Sequence, residues 1–132
     1  HNTSTPSSAA SDVYKRQVFS RSDPKAHARV KTDNGDLTIE YVNKGSLPAG
    51  SGHKLVAEAM RAEGMAGVKR IVSRNIIEPE SRMLFEVGGQ AADSKIAKMR
   101  TKALEELGIR VTRESHSWQM LKTGLELITK LP

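Results

Sequence analysis

The sequence predicts a mixed α/β fold of the α+β kind, with one sheet of about five strands and helices packed on it. Alternating apolar and polar residues flank Asn34-Gly35, a dipeptide that is a strong hairpin signal. Apolar residues then recur at helical spacing after Ser51, Pro79 and Asp93. A second pair of strand-like segments surrounds Lys122-Thr123-Gly124. The predicted element order is therefore ββ-α-β-α-α-ββ.

The first four boundaries follow from capping and breaking residues. Ser51 suits the N-cap of the first helix, and Gly64 ends that helix. Residues 68–77 are short and rich in β-branched side chains, which favours a buried strand. Pro79 suits the first turn of a second helix, which Gly88-Gly89 stops.

The third helix is predicted from about Asp93 to Leu107, with one apolar and one basic face. The apolar positions are Ile96, Met99, Ala103, Leu104 and Leu107. The basic positions are Lys95, Lys98, Arg100 and Lys102. A basic face of this kind could contact phosphates, and the alternative is a face that is only solvated.

A chain of 132 residues has room for one domain, which we place at residues 28–132. Residues 1–27 are expected to be disordered or artefactual. Residues 1–11 are rich in Ser, Thr and Ala without apolar periodicity. Residues 12–17, "DVYKRQ", resemble the translation of a transposase mosaic-end adaptor, as in a metagenomic fragment, and the alternative is a genuine basic linker.

Composition narrows the classes of function and partner. The net charge of +6 favours anionic partners, nucleic acid first. Because the chain has no cysteine, it has no disulfide, no thiolate nucleophile and no Cys-ligated zinc. The carboxylates and histidines show no metal-ligand spacing, so we predict no metal and no cofactor. No apolar run approaches the roughly 20 residues of a membrane-spanning helix, and we predict no membrane association and no signal peptide.

The turn "LPAGSGH", residues 47–53, is the first candidate site. Gly50, Ser51 and Gly52 would let backbone N–H groups approach an anion at a helix N-terminus. His53 and Lys54 would add side-chain donors there. Ser51, Gly52 and Lys54 are therefore candidate substrate-binding residues, and the alternative is a tight turn in which Ser51 only caps the helix.

This turn resembles the acetyl-CoA loop of the GNAT acetyltransferases, in which Gln or Arg followed by x-x-G-x-G or x-x-G-x-A opens a helix after a strand. Gly50 and Gly52 match the pattern, and the following residues continue with helix, Gly, strand, Asn, helix and Gly. Two features depart from it. Leu47 stands at the Gln or Arg position, and the helix from Asp93 to Leu107 replaces the strands expected next. The resemblance implies a fragment of an acetyltransferase.

A broader resemblance covers Ala28 to about Pro132. The segments "GDLTIEYV", "GSGHKLVAEAMRAEG", "IVSRNIIEPESR" and "KALEELGIRVTRES" are similar to C-terminal toxin domains of bacterial polymorphic toxins, of the rearrangement-hotspot repeat and filamentous-haemagglutinin types. This resemblance implies an effector domain that a larger secreted carrier delivers into the cytoplasm of a target cell. It also implies a nuclease or nucleotide-modifying activity that a cognate immunity protein neutralises. A non-catalytic binding module is the remaining alternative.

Two histidines could perform acid–base chemistry on such a substrate. His53, in the first turn of a helix, and His116, in the last hairpin, could act as a metal-independent ribonuclease pair. Arg74 or Lys54 would stabilise the developing charge. RNA is accordingly the favoured nucleic acid. The alternative for each histidine is an exposed or capping residue without a catalytic role.

The remaining candidates for substrate binding follow the central strand or lie in the last hairpin. Asn75 and Glu78 come at the end of that strand, where ligand sites of α/β sheets are usually found, although both could instead cap the next helix. Trp118 could stack a base, and its alternative is a place in the core.

Overall fold

The fold is a single six-stranded mixed sheet with helices packed on it, as seen in a computed structural model that describes residues 14–19, 25–43, 45–48 and 50–132. The strands lie in the order β1-β2-β3-β4-β6-β5. They are β1 (Tyr14–Phe19), β2 (His27–Asp33), β3 (Asp36–Asn43), β4 (Arg70–Ser73), β5 (His116–Leu121) and β6 (Gly124–Lys130). Only β3 and β4 pair in parallel, and all other neighbours are antiparallel. The predicted α/β class is confirmed.

Three helices connect these strands: α1 (Gly52–Glu63), α2 (Pro79–Glu86) and α3 (Lys95–Glu106). The predicted stops of α1 and α2 are confirmed, since α1 ends at Gly64 and Gly88-Gly89 follow α2. Ser51 directly precedes α1 as predicted, but the prediction that its side chain caps the helix is wrong, because that side chain makes no capping hydrogen bond. Ser51 has helical φ and ψ of −76° and −17°, whereas a capping residue is usually extended. No helix in the described part of the chain is long and apolar enough to cross a membrane.

The first hairpin forms as the sequence predicts. Asn34 and Gly35 have φ of 51° and 86°, the left-handed pair that a two-residue hairpin turn requires. The second hairpin is shorter than expected, because residues 113–115 form a 3₁₀ turn before β5 begins at His116. In that turn Arg113 donates to both carboxylate oxygens of Asp93.

The N-terminal part of the chain differs from the disorder expected for residues 1–27. The structure describes residues 14–19 and 25–27 of that segment, and residues 14–19 form β1 along the outer edge of β2. Pairing satisfies backbone groups on a strand edge that would otherwise be open. The Ser-rich residues 1–11 lie outside the described part. The adaptor resemblance of residues 12–17 concerns their origin and stays a prediction.

The core lies between the sheet and two helices that contact each other. α1 packs against β1, β2, β3 and α3. Ala59, Met60 and Leu104 are fully buried in the larger apolar cluster, together with Leu37 and Ile71 of the sheet. A second cluster joins α3 to β6, where Ala97 meets Leu125 and Leu127. Helix α3 therefore spans both clusters and fixes the position of α1 relative to β4 and β6.

Candidate functional site

The two parallel strands pair over a short length. β3 and β4 are in register only from Asp36–Arg70 to Thr38–Val72, although β3 continues to Asn43. A bidentate ion pair between Arg70 and Asp36, with N···O distances of 2.9 and 2.7 Å, fixes the start of this register. The Arg70 guanidinium also holds the pKa of Asp36 below its usual value. Because β4 ends at Ser73, the edge of β3 beyond Thr38 has no strand partner on that side among the described residues. Ligand clefts of α/β sheets form at the carboxyl ends of strands.

A glycine-rich turn joins the carboxyl end of β3 to α1. Gly45 and Gly50 have φ of 57° and 89°, a region that favours glycine. The Ser51 carbonyl accepts the Lys54 and Leu55 N–H groups at 3.1 and 3.3 Å, which starts α1. The first turn of α1 contains no acidic residue. This helix N-terminus therefore retains the positive end of its dipole for an anion.

A cavity of about 480 Å³, which we name the α1–α3 cavity, opens beside this turn. Its lining residues are Gly50, Gly52, His53, Glu78, Lys95, Ile96, Lys98, Met99 and Lys102. Gly52 permits the close approach of the two helices, because a Cβ there would lie 3.4 Å from the Met99 sulfur. Half-buried Ile96 and Met99 supply apolar surface, and the lysines lie around it. The cavity thus suits a ligand that has an apolar part and an anionic part.

Two basic groups of this cavity are already neutralised by acids. His53 Nε2 lies 2.8 Å from Glu106 Oε2, and Lys95 Nζ lies 2.9 Å from Glu80 Oε1. The Glu80 carboxylate also raises the pKa of Lys95. Lys98 and Lys102 are exposed and form no ion pair within 4.0 Å with any residue the structure describes.

Glu78 lines the cavity but its carboxylate serves as the N-cap of α2. Its oxygens accept the Glu80 and Ser81 N–H groups at 3.0 Å each, and one also accepts the Ser81 hydroxyl. Burial raises the pKa of Glu78, but these hydrogen bonds outweigh it and the pKa is lowered. Both oxygens of Glu78 are therefore engaged in capping, which was the alternative to substrate binding.

His116 lies in a second cavity of about 440 Å³, which we name the His116 cavity. Lys98 and Lys102 line this cavity as well, together with Thr101 and Arg113. The two candidate histidines thus line different cavities, one on each side of the same pair of lysines.

Both ring nitrogens of His116 are hydrogen-bonded, and the partners determine its tautomer. Arg100 Nη1 donates to Thr129 Oγ1 at 3.0 Å, so we assign the Thr129 hydroxyl proton to His116 Nδ1, 2.8 Å away. His116 Nε2 then donates to Thr101 Oγ1 at 3.1 Å, and Thr101 donates to the Ala97 carbonyl at 2.8 Å. Burial, and then the charges of Arg100 and Arg113, lower the pKa of His116. These contacts and the lowered pKa favour the neutral form of His116.

The prediction that Arg100 lies on an exposed basic face of α3 is wrong, because this side chain is fully buried. Its Nη1 also donates to the carbonyls of Ile71 and Leu127, at 3.1 and 3.2 Å, and its Nη2 donates to the Ser73 hydroxyl. Burial lowers the pKa of Arg100 to about 9. Its long aliphatic stem crosses the core, and its guanidinium links α3 to both β4 and β6.

The other candidate residues lie apart from the α1–α3 cavity. Exposed Arg74 forms an ion pair with buried Glu126, with an N···O distance of 3.4 Å. Asn75 is a left-handed turn residue with φ of 50°, packed against Gly124. Trp118 Nε1 donates to the Gly89 carbonyl at 3.0 Å, and its ring meets Phe85 edge-on with centroids 5.8 Å apart. Exposed Lys54 does not line the cavity.

Of the nine candidate residues, the structure brings Gly52, His53 and Glu78 into one cavity. Sequence reasoning noted Lys95, Lys98 and Lys102 as a possible phosphate-binding face, but it did not join that face to the glycine-rich turn. No short-range signal could do so, because the juxtaposition depends on how α3 packs against α1. In the described residues no group of three or more acidic or histidine side chains could hold a metal ion.

Comparison with known proteins finds a similar fold in a solved structure. No family model and no curated protein sequence matches the chain. A crystal structure from Agrobacterium tumefaciens, described as a putative acetyltransferase, superposes with a TM-score of 0.50 and 14% sequence identity. The match covers 92% of this chain and 77% of that chain. At this identity the likeness shows a shared fold alone.

Proposed function

We propose that this protein binds an acyl-coenzyme A and transfers the acyl group to an amine or hydroxyl acceptor. The observation that carries this proposal is the position of the glycine-rich turn. It starts α1 after the carboxyl end of β3, in the part of β3 that β4 does not pair with, and it borders a cavity with apolar and cationic sides. The fold shared with a putative acetyltransferase and the resemblance of the turn to the acetyl-CoA loop support the same activity.

The chemical groups of the cavity suit the parts of coenzyme A. The first-turn N–H groups of α1 would bind the diphosphate, because a helix N-terminus without acidic side chains attracts anions. Ile96 and Met99 would contact the aliphatic parts of the pantetheine arm. The arm also contains amides, which suit the edge of β3 that β4 leaves unpaired beyond Thr38.

The thioester supplies an activated acyl group, and the chain itself has to bind and orient it. Holding the acyl donor beside an acceptor in a fixed geometry accounts for much of the rate enhancement of transfer reactions. The helix pair provides such a frame, since α1 and α3 share one apolar cluster.

A melting experiment with charge variants at Ser51 tests this proposal. Saturating acetyl-CoA should raise the melting temperature of the full chain, since a ligand at 100 times its Kd stabilises the folded state by about 2.7 kcal/mol. Ser51→Asp should weaken acetyl-CoA binding about tenfold or more, because a carboxylate at the start of α1 repels the diphosphate. The uncharged Ser51→Asn variant is the control and should bind within a few-fold of the original chain.

Two results would overturn the proposal. One is a melting temperature that does not change at millimolar acetyl-CoA. The other is an affinity that is equal in the Ser51→Asp and Ser51→Asn variants, which would place the ligand away from the turn. Release of free thiol from acetyl-CoA, followed over a panel of amine acceptors, then measures transfer itself.

The ribonuclease and toxin hypothesis stays a second proposal, and so do nucleic acid and an immunity protein as its partners. One observation favours it, since Lys98 and Lys102 form a basic ridge between the cavities of His53 and His116. Its test is expression in a bacterial cytoplasm. Growth arrest by the original chain, with normal growth of a His53→Ala, His116→Ala double variant, is the expected result. Equal growth of the two strains would contradict it.

A further inference from the structure

The exposed lysines of α3 occupy an unusual position in the fold. Lys98 and Lys102 are one helical turn apart, and each lines both the α1–α3 cavity and the His116 cavity. They therefore form a cationic ridge between two neighbouring openings of about 480 and 440 Å³. Like charges four residues apart on a helix repel each other, and an anion bound between them would relieve that repulsion.

These two lysines have no ion-pair partner among the described residues. Three other basic side chains of the two cavities have acidic partners: His53 with Glu106 at 2.8 Å, Lys95 with Glu80 at 2.9 Å and Arg113 with Asp93 at 2.8 Å. Glu105 lines the His116 cavity, but within the described ranges neither lysine has an acidic partner within 4.0 Å. The ridge consequently offers two lysine side chains that form no ion pair in the described part of the chain.

The turn before α1 has no cationic side chain where the acetyl-CoA loop would have one. Leu47 occupies that position, is half-buried and packs against the larger apolar cluster. The N-terminus of α1 offers backbone donors, which suffice for one anionic group. A ligand with a second phosphate needs cations from another element, and α3 is the element that departs from the acetyltransferase pattern.

We propose that Lys98 and Lys102 bind the 3′-phosphate of the acyl-coenzyme A and make the protein selective for it over the 3′-dephospho form. This inference rests on the proposed acyl-coenzyme A binding. A phosphate monoester carries close to two negative charges near neutral pH, more than either oxygen-linked phosphate of the diphosphate. Two lysines one turn apart match that doubly charged group, whereas the diphosphate faces the α1 N-terminus.

Isothermal titration of the full chain with acetyl-CoA and with acetyl-3′-dephospho-CoA, at one fixed ionic strength, tests the inference. We expect the original chain to bind acetyl-CoA at least about tenfold more tightly than the dephospho form. The Lys98→Gln, Lys102→Gln double variant should lose that preference by weakening acetyl-CoA alone. A Lys69→Gln, Lys122→Gln variant removes the same charge from exposed sites outside both cavities and should keep the preference.

Each contrary outcome has a distinct meaning. If the original chain binds both ligands equally, the inference fails while acyl-coenzyme A binding stands. An equal loss of both ligands in the Lys98→Gln, Lys102→Gln variant would also overturn it, because the lysines would then bind a part common to both. If the original chain binds neither ligand, the proposed function and the inference fail together. Melting curves confirm that each variant is folded.

Discussion

Two faces of α3 meet parts of the molecule with opposite bonding character. Towards β4 and β6, Arg100 and His116 are built into a hydrogen-bonded chain that ends on backbone carbonyls. Towards α1, Lys98 and Lys102 line open space without an acidic partner in the described part of the chain. The buried cation Arg100 thus stabilises the fold on one face of α3. The exposed cations Lys98 and Lys102 remain available for a ligand on the other face. The comparison shows that charged side chains without a partner in the described residues identify the candidate site, and that the presence of a titratable residue alone does not.

The largest expected effect comes from removing the buried guanidinium. Arg100→Ala should lower the free energy of unfolding by at least about 3 kcal/mol, because it leaves the Thr129 hydroxyl and two sheet carbonyls without their donor and opens a cavity. Urea denaturation measures this loss. A loss below about 1 kcal/mol would contradict the scaffold role. Exposed Lys102→Ala is the matched control and should change stability by less than about 0.5 kcal/mol.

The second-largest loss of stability is expected at the turn between β5 and β6. Gly124 has φ of 134°, and a Cβ there would lie 2.6 Å from Asn75 Oδ1 and 3.2 Å from Asn75 Cα. Gly124→Ala should therefore cost about 2 to 3 kcal/mol of stability. Gly108 also has a positive φ, 77°, but has nothing within 4 Å. Gly108→Ala should cost only about 1 kcal/mol, and equal losses would show that the contact with Asn75 is unimportant.

The hydrogen-bonded chain around His116 should make stability depend on pH. Because the pKa of His116 is lowered in the folded state, the unfolded chain binds its proton first as pH falls. The contribution of His116 is fully present above pH 6.5, the ordinary histidine pKa, and is lost as pH falls through and below it. The slope is at most about 1.4 kcal/mol per pH unit for one proton.

His116→Gln separates this contribution from those of other titrating groups. A glutamine side chain can accept from Thr129 and donate to Thr101, as the neutral imidazole does, but it does not titrate. Subtracting the stability curve of the variant from that of the original chain should leave a difference that changes below pH 6.5 and is flat above it. A difference that does not change with pH would show that folding leaves the pKa of His116 unchanged, which would contradict this account.

The smallest effect is expected where β3 and β4 begin to pair. The Asp36 pKa is lowered by its hydrogen bonds with Arg70, but Arg70 is partly exposed, so solvent screens the pair. Asp36→Asn should cost about 0.5 to 1 kcal/mol at neutral pH. Its effect should shrink as pH falls below the ordinary Asp pKa, because the unfolded original chain then binds a proton at Asp36 that the folded chain, with its lowered pKa, binds only at lower pH. A loss that is the same at pH 7 and pH 3 would contradict the ion-pair account.

Local signals in the sequence predicted most of the fold. Asn34-Gly35 specifies a hairpin through its left-handed backbone, and Gly64 and Pro79 mark helix ends for equally local reasons. β1 was missed, because its place depends on the open edge of a strand distant in sequence. Arg100 was assigned to an exposed face, because helical spacing does not show which long side chain finds carbonyls in the core.

The candidate site was predicted in part. The glycine-rich turn and His53 lie at the cavity, as expected from their place before a helix. Trp118 donates to the Gly89 carbonyl and Glu78 caps α2, contacts of the structural kind named as their alternatives. Their roles in substrate binding stay predictions. The role of Lys98 and Lys102 depends on the packing of α3 against α1, which residue spacing within one helix does not determine.

Backbone amide chemical shifts of the ¹⁵N-labelled full chain, recorded during titration with acetyl-CoA, test the central claim most directly. We expect the changes to concentrate in two groups that are distant in sequence, residues 50–54 at the start of α1 and residues 95–102 on α3. The amides of β1 and of the β5–β6 turn should change little. Absence of saturable shifts at millimolar acetyl-CoA, or shifts centred on residues 116–118 instead, would contradict the assignment of the α1–α3 cavity as an acyl-coenzyme A site.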